Sequence, residues 1–147
     1  MKIQEYVTID EVKRVCKELC LSDWTTMQSP NVTIEEASII LKIVNTRQMD
    51  ISLEEFRKGL EVELEHGTRF EDANVTNNHP ILTGKIVLAH LKEMIDYYLR
   101  IDVAEMEGDL LKAILSGDIK KIQNKYKRLI EAQISLNQNV KDQLKKI

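Results

Sequence analysis

Cysteine, proline, glycine and aromatic side chains are all scarce in this sequence. Two cysteines among 147 residues exclude a disulfide-stapled scaffold. Two prolines and five glycines exclude collagen-like and low-complexity chains. With aromatics at only 5 %, this scarcity tilts the expectation towards helices. No apolar run approaches the ~20 residues needed to cross a bilayer, so no membrane partner is expected. The opening MKIQEYVTIDE lacks the apolar stretch of a secretory signal, and the expected location is the cytoplasm. What is present is 43 % hydrophobic and 31 % charged residues, enough for one domain over 1–147 with a sizeable core.

Charge is unevenly placed. Residues 1–111 hold 12 basic and 21 acidic groups, a balance of −9, while residues 112–147 hold 9 basic and 3 acidic, a balance of +6. An acidic body with a basic end is a statement about partners rather than fold. The basic end can meet nucleic acid, an acidic protein, or the acidic body of its own or another copy.

Three segments open alike: Thr8-Ile9-Asp10-Glu11, Thr33-Ile34-Glu35-Glu36 and Ser52-Leu53-Glu54-Glu55. Each reads as a capping box, hydroxyl and glutamate exchanging bonds with orphan backbone N–H groups. Helices are predicted over about 9–20, 34–45, 53–66, 80–100, 102–115 and 118–146. The second is apolar almost all round and therefore central. The third stops at Gly67, a natural C-terminal residue. Trp24, in the connection after the first helix, is expected to plug the core. Residues 67–79 form one long polar connection, and Pro80 suits the first turn of the next helix. In the last helix Ile119, Ile122, Tyr126, Leu129, Gln133, Leu136, Val140 and Gln143 alternate threes and fours as a heptad seam. Ile130, Ile134 and Leu144 add a second stripe.

Few residues suggest chemistry, and no catalytic residue is assigned. Cys16 and Cys20 fall one turn apart on an apolar helix face and read as core thiols. GxSxG, HExxH and phosphate-binding glycine loops are all missing. Glu63 and His66 share one helix at i, i+3, and His90 and Glu93 share the next. Glu-x-x-His is the spacing used in di-iron bundles, so these four are the candidate polar or metal cluster, for a divalent transition metal. Antiparallel packing of the two helices instead sets Lys85 beside Glu63 as an ion pair, with Gly59 or Gly84 allowing close approach. Lys121, Lys125 and Arg128 form one basic face of the last helix, the candidate surface for a partner.

The ordered blocks VELEHG at 62–67, Asn74-Val75-Thr76, Gly84-Lys85-Ile86, Ala89-His90-Leu91 and Asp96-Tyr97-Tyr98, with Phe56 and Gly59, resemble a small bacterial and viral domain family of unknown function. The resemblance covers about residues 52–107, and the first helix with Trp24 is similar to that family's opening segment. It implies a small, mainly helical intracellular domain and transfers no activity. Two departures stand out: His79 where the family tends to carry Asp, and an apparent insertion over Thr25–Asp50. The resemblance draws attention to Asn74, Thr76, Lys85 and Asp96 as a network around the long loop.

These readings converge on an all-α protein of five or six helices ending in a long one. The leading function is a non-enzymatic interaction module, working through the basic end or the loop-flanked groove. Metal binding through Glu63, His66, His90 and Glu93 is the alternative. Nucleic-acid binding through the lysine-rich end ranks third.

Overall fold

Six helices and no strand are found among residues 6–145, which a computed structural model describes. They are α1 (Ile9–Glu18), α2 (Ile34–Val44), α3 (Leu53–Arg69), α4 (Pro80–Glu93), α5 (Tyr97–Ser116) and α6 (Ile119–Leu144). The all-α expectation holds. No described helix is long and apolar enough to cross a membrane. The predicted end of the last helix at 146 lies outside the described residues.

Local chemistry explains most of the boundaries, with three corrections. Only Thr33 forms the complete reciprocal box with Glu36. Thr8 caps α1 through Glu11 N–H, but the Glu11 carboxylate turns to Arg14 (2.7 and 2.8 Å), and Ser52 makes no side-chain cap bond. Second, α3 does not stop at Gly67; it continues to Arg69. Third, the helix predicted over 80–100 breaks at Met94–Asp96, and α5 then runs through Gly108 without interruption.

A Cβ at Gly108 would meet nothing within 4 Å, so this glycine answers no packing demand. Gly108→Ala should therefore raise stability by about 1 kcal/mol through helix propensity alone. Chemical denaturation of the two proteins checks the sign.

The chain divides at Glu93 and Met94 into two compact units. In the first, α2, α3 and α4 pack pairwise and α1 contacts α4. Val12, Trp24, Ile40, Phe56, Leu60, Leu64, Val87 and Leu91 are buried in its core. Trp24 sits in a 3-10 turn and is fully buried, as expected of a plug. Gly84 lets α4 approach α2: a Cβ there would stand 2.5 Å from Ile40 Cγ2, with Val44 and Phe56 behind.

The connection before α2 is held by two carboxylates. Buried Glu36 accepts Ser22 N–H (2.8 Å) and Oγ–H (2.7 Å) on one oxygen, and Thr33 N–H (3.1 Å) on the other. The Trp24 indole is turned towards the same carboxylate, outside formal hydrogen-bond geometry. Burial pushes the Glu36 pKa up, but the bonds from Ser22 and Thr33, with the indole dipole beside them, outweigh it and hold the carboxyl below its usual 4.5. Glu61 accepts Val32 N–H (3.1 Å) while also holding Arg57 (2.6 Å).

Only one of the two cysteines is a core thiol. Cys16 is buried and burial raises its pKa. Cys20 is exposed, because α1 ends at Glu18 and Cys20 takes the left-handed position (φ 54°) just beyond it. Leu21 N–H reaches Cys16 C=O (2.8 Å) and Cys20 N–H reaches Lys17 C=O (3.2 Å), a Schellman ending without glycine.

The second unit pairs α5 with α6 around Met106, Leu129 and Ala132, with Val103 and Leu110 packed against them. Left-handed Gly117 and the Asp118 cap make the turn. Most of the predicted seam is covered: Leu129 is buried and Ile122, Gln133, Leu136, Val140 and Gln143 are half-buried, whereas Ile119 and Tyr126 are exposed. The basic terminal helix thus belongs with the helix before it.

Candidate functional site

The polar stretch between α3 and α4 folds back onto the end of α3. Asn74 Nδ2 donates to Gly67 C=O (3.2 Å) and to Asn78 Oδ1 (3.0 Å). A Cβ on Gly67 would lie 2.1 Å from Asn78 Oδ1 and 2.9 Å from Asn74 Nδ2. Close approach of the loop, and not helix termination, is therefore what this glycine serves. Thr76 C=O accepts His79 N–H (3.0 Å) across Asn77 and Asn78, both left-handed at φ 48° and 60°. That is the geometry of a type I′ turn, and asparagine tolerates it better than most side chains. Asn77 Nδ2 then donates to Val7 C=O (2.5 Å), tying the loop to the segment ahead of α1.

His79 closes the loop. Its Nδ1 accepts the N–H groups of Ile81 (3.2 Å) and Leu82 (3.4 Å), which are the orphan donors of α4 behind Pro80. The imidazole does the work of an N-cap carboxylate. Burial lowers its pKa from 6.5; the Glu11 charge opposes this, and Arg14 and Lys85 add to it. The folded state therefore binds fewer protons than the unfolded one. Stability from this cap is complete above about pH 6.5 and is lost as pH falls towards the depressed folded pKa. His79→Asp should remove that part of the pH dependence, and His79→Ala should cost about 1 kcal/mol at neutral pH. Urea denaturation at about pH 7.5 and about pH 5.5 checks both. A histidine directly before the proline of a helix start was the sequence signal for this role.

Around this loop lies a cavity of about 430 Å³. Its walls are Ile9 at the start of α1, Thr25, Met27 and Gln28 after it, Gly67 and Thr68 on α3, and Glu71, Asn74, Asn77 and Asn78 of the loop. Carboxamides and hydroxyls dominate, Glu71 is the single ionisable group, and no lysine or arginine lines it. Phe70 and Val75 stand exposed beside it in sequence.

The predicted cluster of four is only half assembled. His90 Nδ1 lies 3.1 Å from Glu63 Oε1, both half-buried, whereas His66 and Glu93 are exposed. Among the described residues no three His, Cys, Asp or Glu side chains are grouped to hold a metal ion. The Glu63–Lys85 pairing is replaced by Glu63–His90. Gly84 seats α4 on Ile40 and Phe56, Lys85 stays exposed, and His90 meets α3 instead. Asp96 lies in the second unit and binds Arg100 with both oxygens (2.8 and 2.9 Å). Arg100 is also the main reason its pKa falls below 3.8.

On α6, Lys121 and Arg128 are exposed and line, with Asn124 and Lys127, a shallow depression of about 460 Å³. Lys125 lines it too and is also drawn onto Asp109 of α5 (2.6 Å), the neutralisation of part of the basic end by its own acidic neighbour.

A family model for proteins of unknown function, DUF5661, matches residues 12–107. The chain belongs to this family. The matched span includes α2 to α4, the loop with its cavity wall and half of α5; α6 lies beyond it. No curated protein and no solved structure matches the chain.

Proposed function

We propose that this DUF5661 member is a cytoplasmic, non-enzymatic binding module whose groove takes a short extended peptide segment of a partner. The observation that carries the reading is the cavity held open by the Asn74–Gly67–Asn78 lock. It is preorganised, and its carboxamides and hydroxyls supply both donors and acceptors for a peptide backbone. Ile9 and Met27 add an apolar patch, and Glu71 is its one charge. A segment with an apolar residue next to a lysine or arginine complements that lining. The negative balance of residues 1–111 favours the same sign of partner at a distance.

Selection from a displayed random-peptide library against the folded chain tests this. The expected result is enrichment of peptides pairing a basic with an apolar side chain. Their affinity should fall about tenfold, about 1.4 kcal/mol, in Glu71→Ala or Gln28→Ala. Both side chains are exposed, so the fold survives their loss. Failure to enrich any such peptide, or binding indifferent to both substitutions, removes the reading.

A further inference from the structure

Exposed apolar and basic side chains separate around α6. Measured from buried Leu129 and Ala132 at about 100° per residue, Ile119, Tyr126 and Ile130 fall on one side of the helix, and Lys121 and Arg128 on the other. The basic side is a groove. Its depression of about 460 Å³, walled by Lys121, Asn124, Lys125, Lys127, Arg128 and Glu131, adjoins a second of about 250 Å³. Lys121 and Lys125 wall both, and the second adds Asp109, Lys112 and Ser116 from α5.

Five cations and two carboxylates thus line the two depressions. Asp109 holds Lys125 at 2.6 Å. The other pairs are long: Lys112–Asp109 at 3.4 Å, Lys121–Asp118 at 3.7 Å and Lys127–Glu131 at 3.9 Å. Their lysines are exposed, and such surface contacts contribute little and yield to a stronger anion. Arg128 has no ion-pair partner among the described residues. Lys121, Lys125 and Arg128 follow one another at four and three residues, about 6 and 4.5 Å along the axis, and so present a row of charge.

The lining decides the class of partner. Ala113 is the sole apolar residue in either wall. A protein partner is anchored by aromatic or aliphatic side chains at an apolar centre, and this groove offers none. Nucleic-acid interfaces are the polar, strongly positive kind. Ammonium, guanidinium and carboxamide groups, here the lysines, Arg128 and Asn124, are the donors that phosphate oxygens take. The −9 balance of residues 1–111 repels a polyanion from the rest of the chain and confines contact to this side. We propose that the groove binds the phosphodiester backbone of a nucleic acid without reading its sequence. It shares no residue with the cavity at the α3–α4 loop, and the proposal does not rest on peptide binding there.

Fluorescence anisotropy of the full chain with labelled oligothymidine, a DNA duplex of the same length and polyglutamate tests this. A nucleic acid should bind at low salt and weaken along a log–log slope of about −3, from about four engaged cations. Whether the single strand or the duplex binds more tightly shows which form of backbone the groove takes. Lys121→Gln with Arg128→Gln should lower the affinity at least about tenfold and flatten the slope by about 1.5. Lys141→Gln with Lys145→Gln removes the same charge from the far end of α6 and should cost less than about threefold. All four side chains are exposed, so circular dichroism should not change. Absence of nucleic-acid binding at low salt overturns the proposal. So do equal losses from the two double variants, or polyglutamate held as tightly as nucleic acid, which would assign the groove to an acidic protein.

Discussion

Glu36→Ala should lower the unfolding free energy by about 2–3 kcal/mol, a large share of what a domain of this size possesses. The carboxylate accepts from Ser22 N–H and Oγ–H and from Thr33 N–H. Its removal takes the acceptor from three donors of the part-buried connection, each bond to a charged group being worth about 1.5 kcal/mol or less where water reaches the donor. Helix α2 also loses the returning half of its capping box. Glu36→Gln keeps the shape and one acceptor, so its loss should be about half as large. The pH behaviour separates the two contributions. Because the folded carboxyl titrates below 4.5, its stabilisation is complete above about pH 4.5 and is lost as pH falls through the folded value. In Glu36→Gln that acid-side loss disappears. Urea titrations at about pH 7 and about pH 3.5 measure it, and an unchanged acid slope would remove Glu36 from this role.

Gly84→Leu is expected to cost about 3 kcal/mol or more. Even a single Cβ at this site meets Ile40 Cγ2 at 2.5 Å, and Ile40 and Phe56 are both fully buried. A close-packed interior has no free volume into which an isobutyl group can be turned. The gain in helix propensity on leaving glycine, about 1 kcal/mol, offsets only part of this. Ile40→Ala removes the methyl that a Cβ strikes. The double variant Gly84→Leu/Ile40→Ala should therefore lose less than the sum of its two parents. Strict additivity would mean that α2 and α4 do not meet at this point.

Sequence reasoning reached the helices and missed most of what joins them. Caps, apolar spacing and the Pro80 start are properties of a few neighbouring residues, and they located α2 and the start of α4 within a residue. Where one residue has two possible uses, the outcome depended on tertiary partners. Gly67 looked like a helix stop because the usual meaning of glycine there is a C-terminal cap; its actual partners, Asn74 and Asn78, come from a loop whose path no local rule determines. Gly108 lies inside a predicted helix and stays helical, because an exposed helix absorbs a glycine at about 1 kcal/mol. The break at Met94–Asp96 carries neither glycine nor proline and gave no warning.

The candidate site was legible in location but not in wiring. The 67–79 connection, Asn74 and His90 all stand out in the sequence itself. The Glu63–His90 contact depends on how Gly84 seats α4, which periodicity does not contain. His79 stands out in the sequence only as a departure from Asp. Its ring nitrogen supplies the acceptor that an aspartate would, so the departure changes the pH response and keeps the cap.

The left-handed ending of α1 gives the protein a built-in clock. Cys20 lies open to solvent and Cys16 is sealed beneath the helix. A thiol-specific reagent added to the native protein should consume one equivalent at once. The second should follow only as fast as α1 lifts and bares Cys16, whose thiol burial protects until then. The interval between the two reports the opening of this one helix, with no denaturant and no added probe.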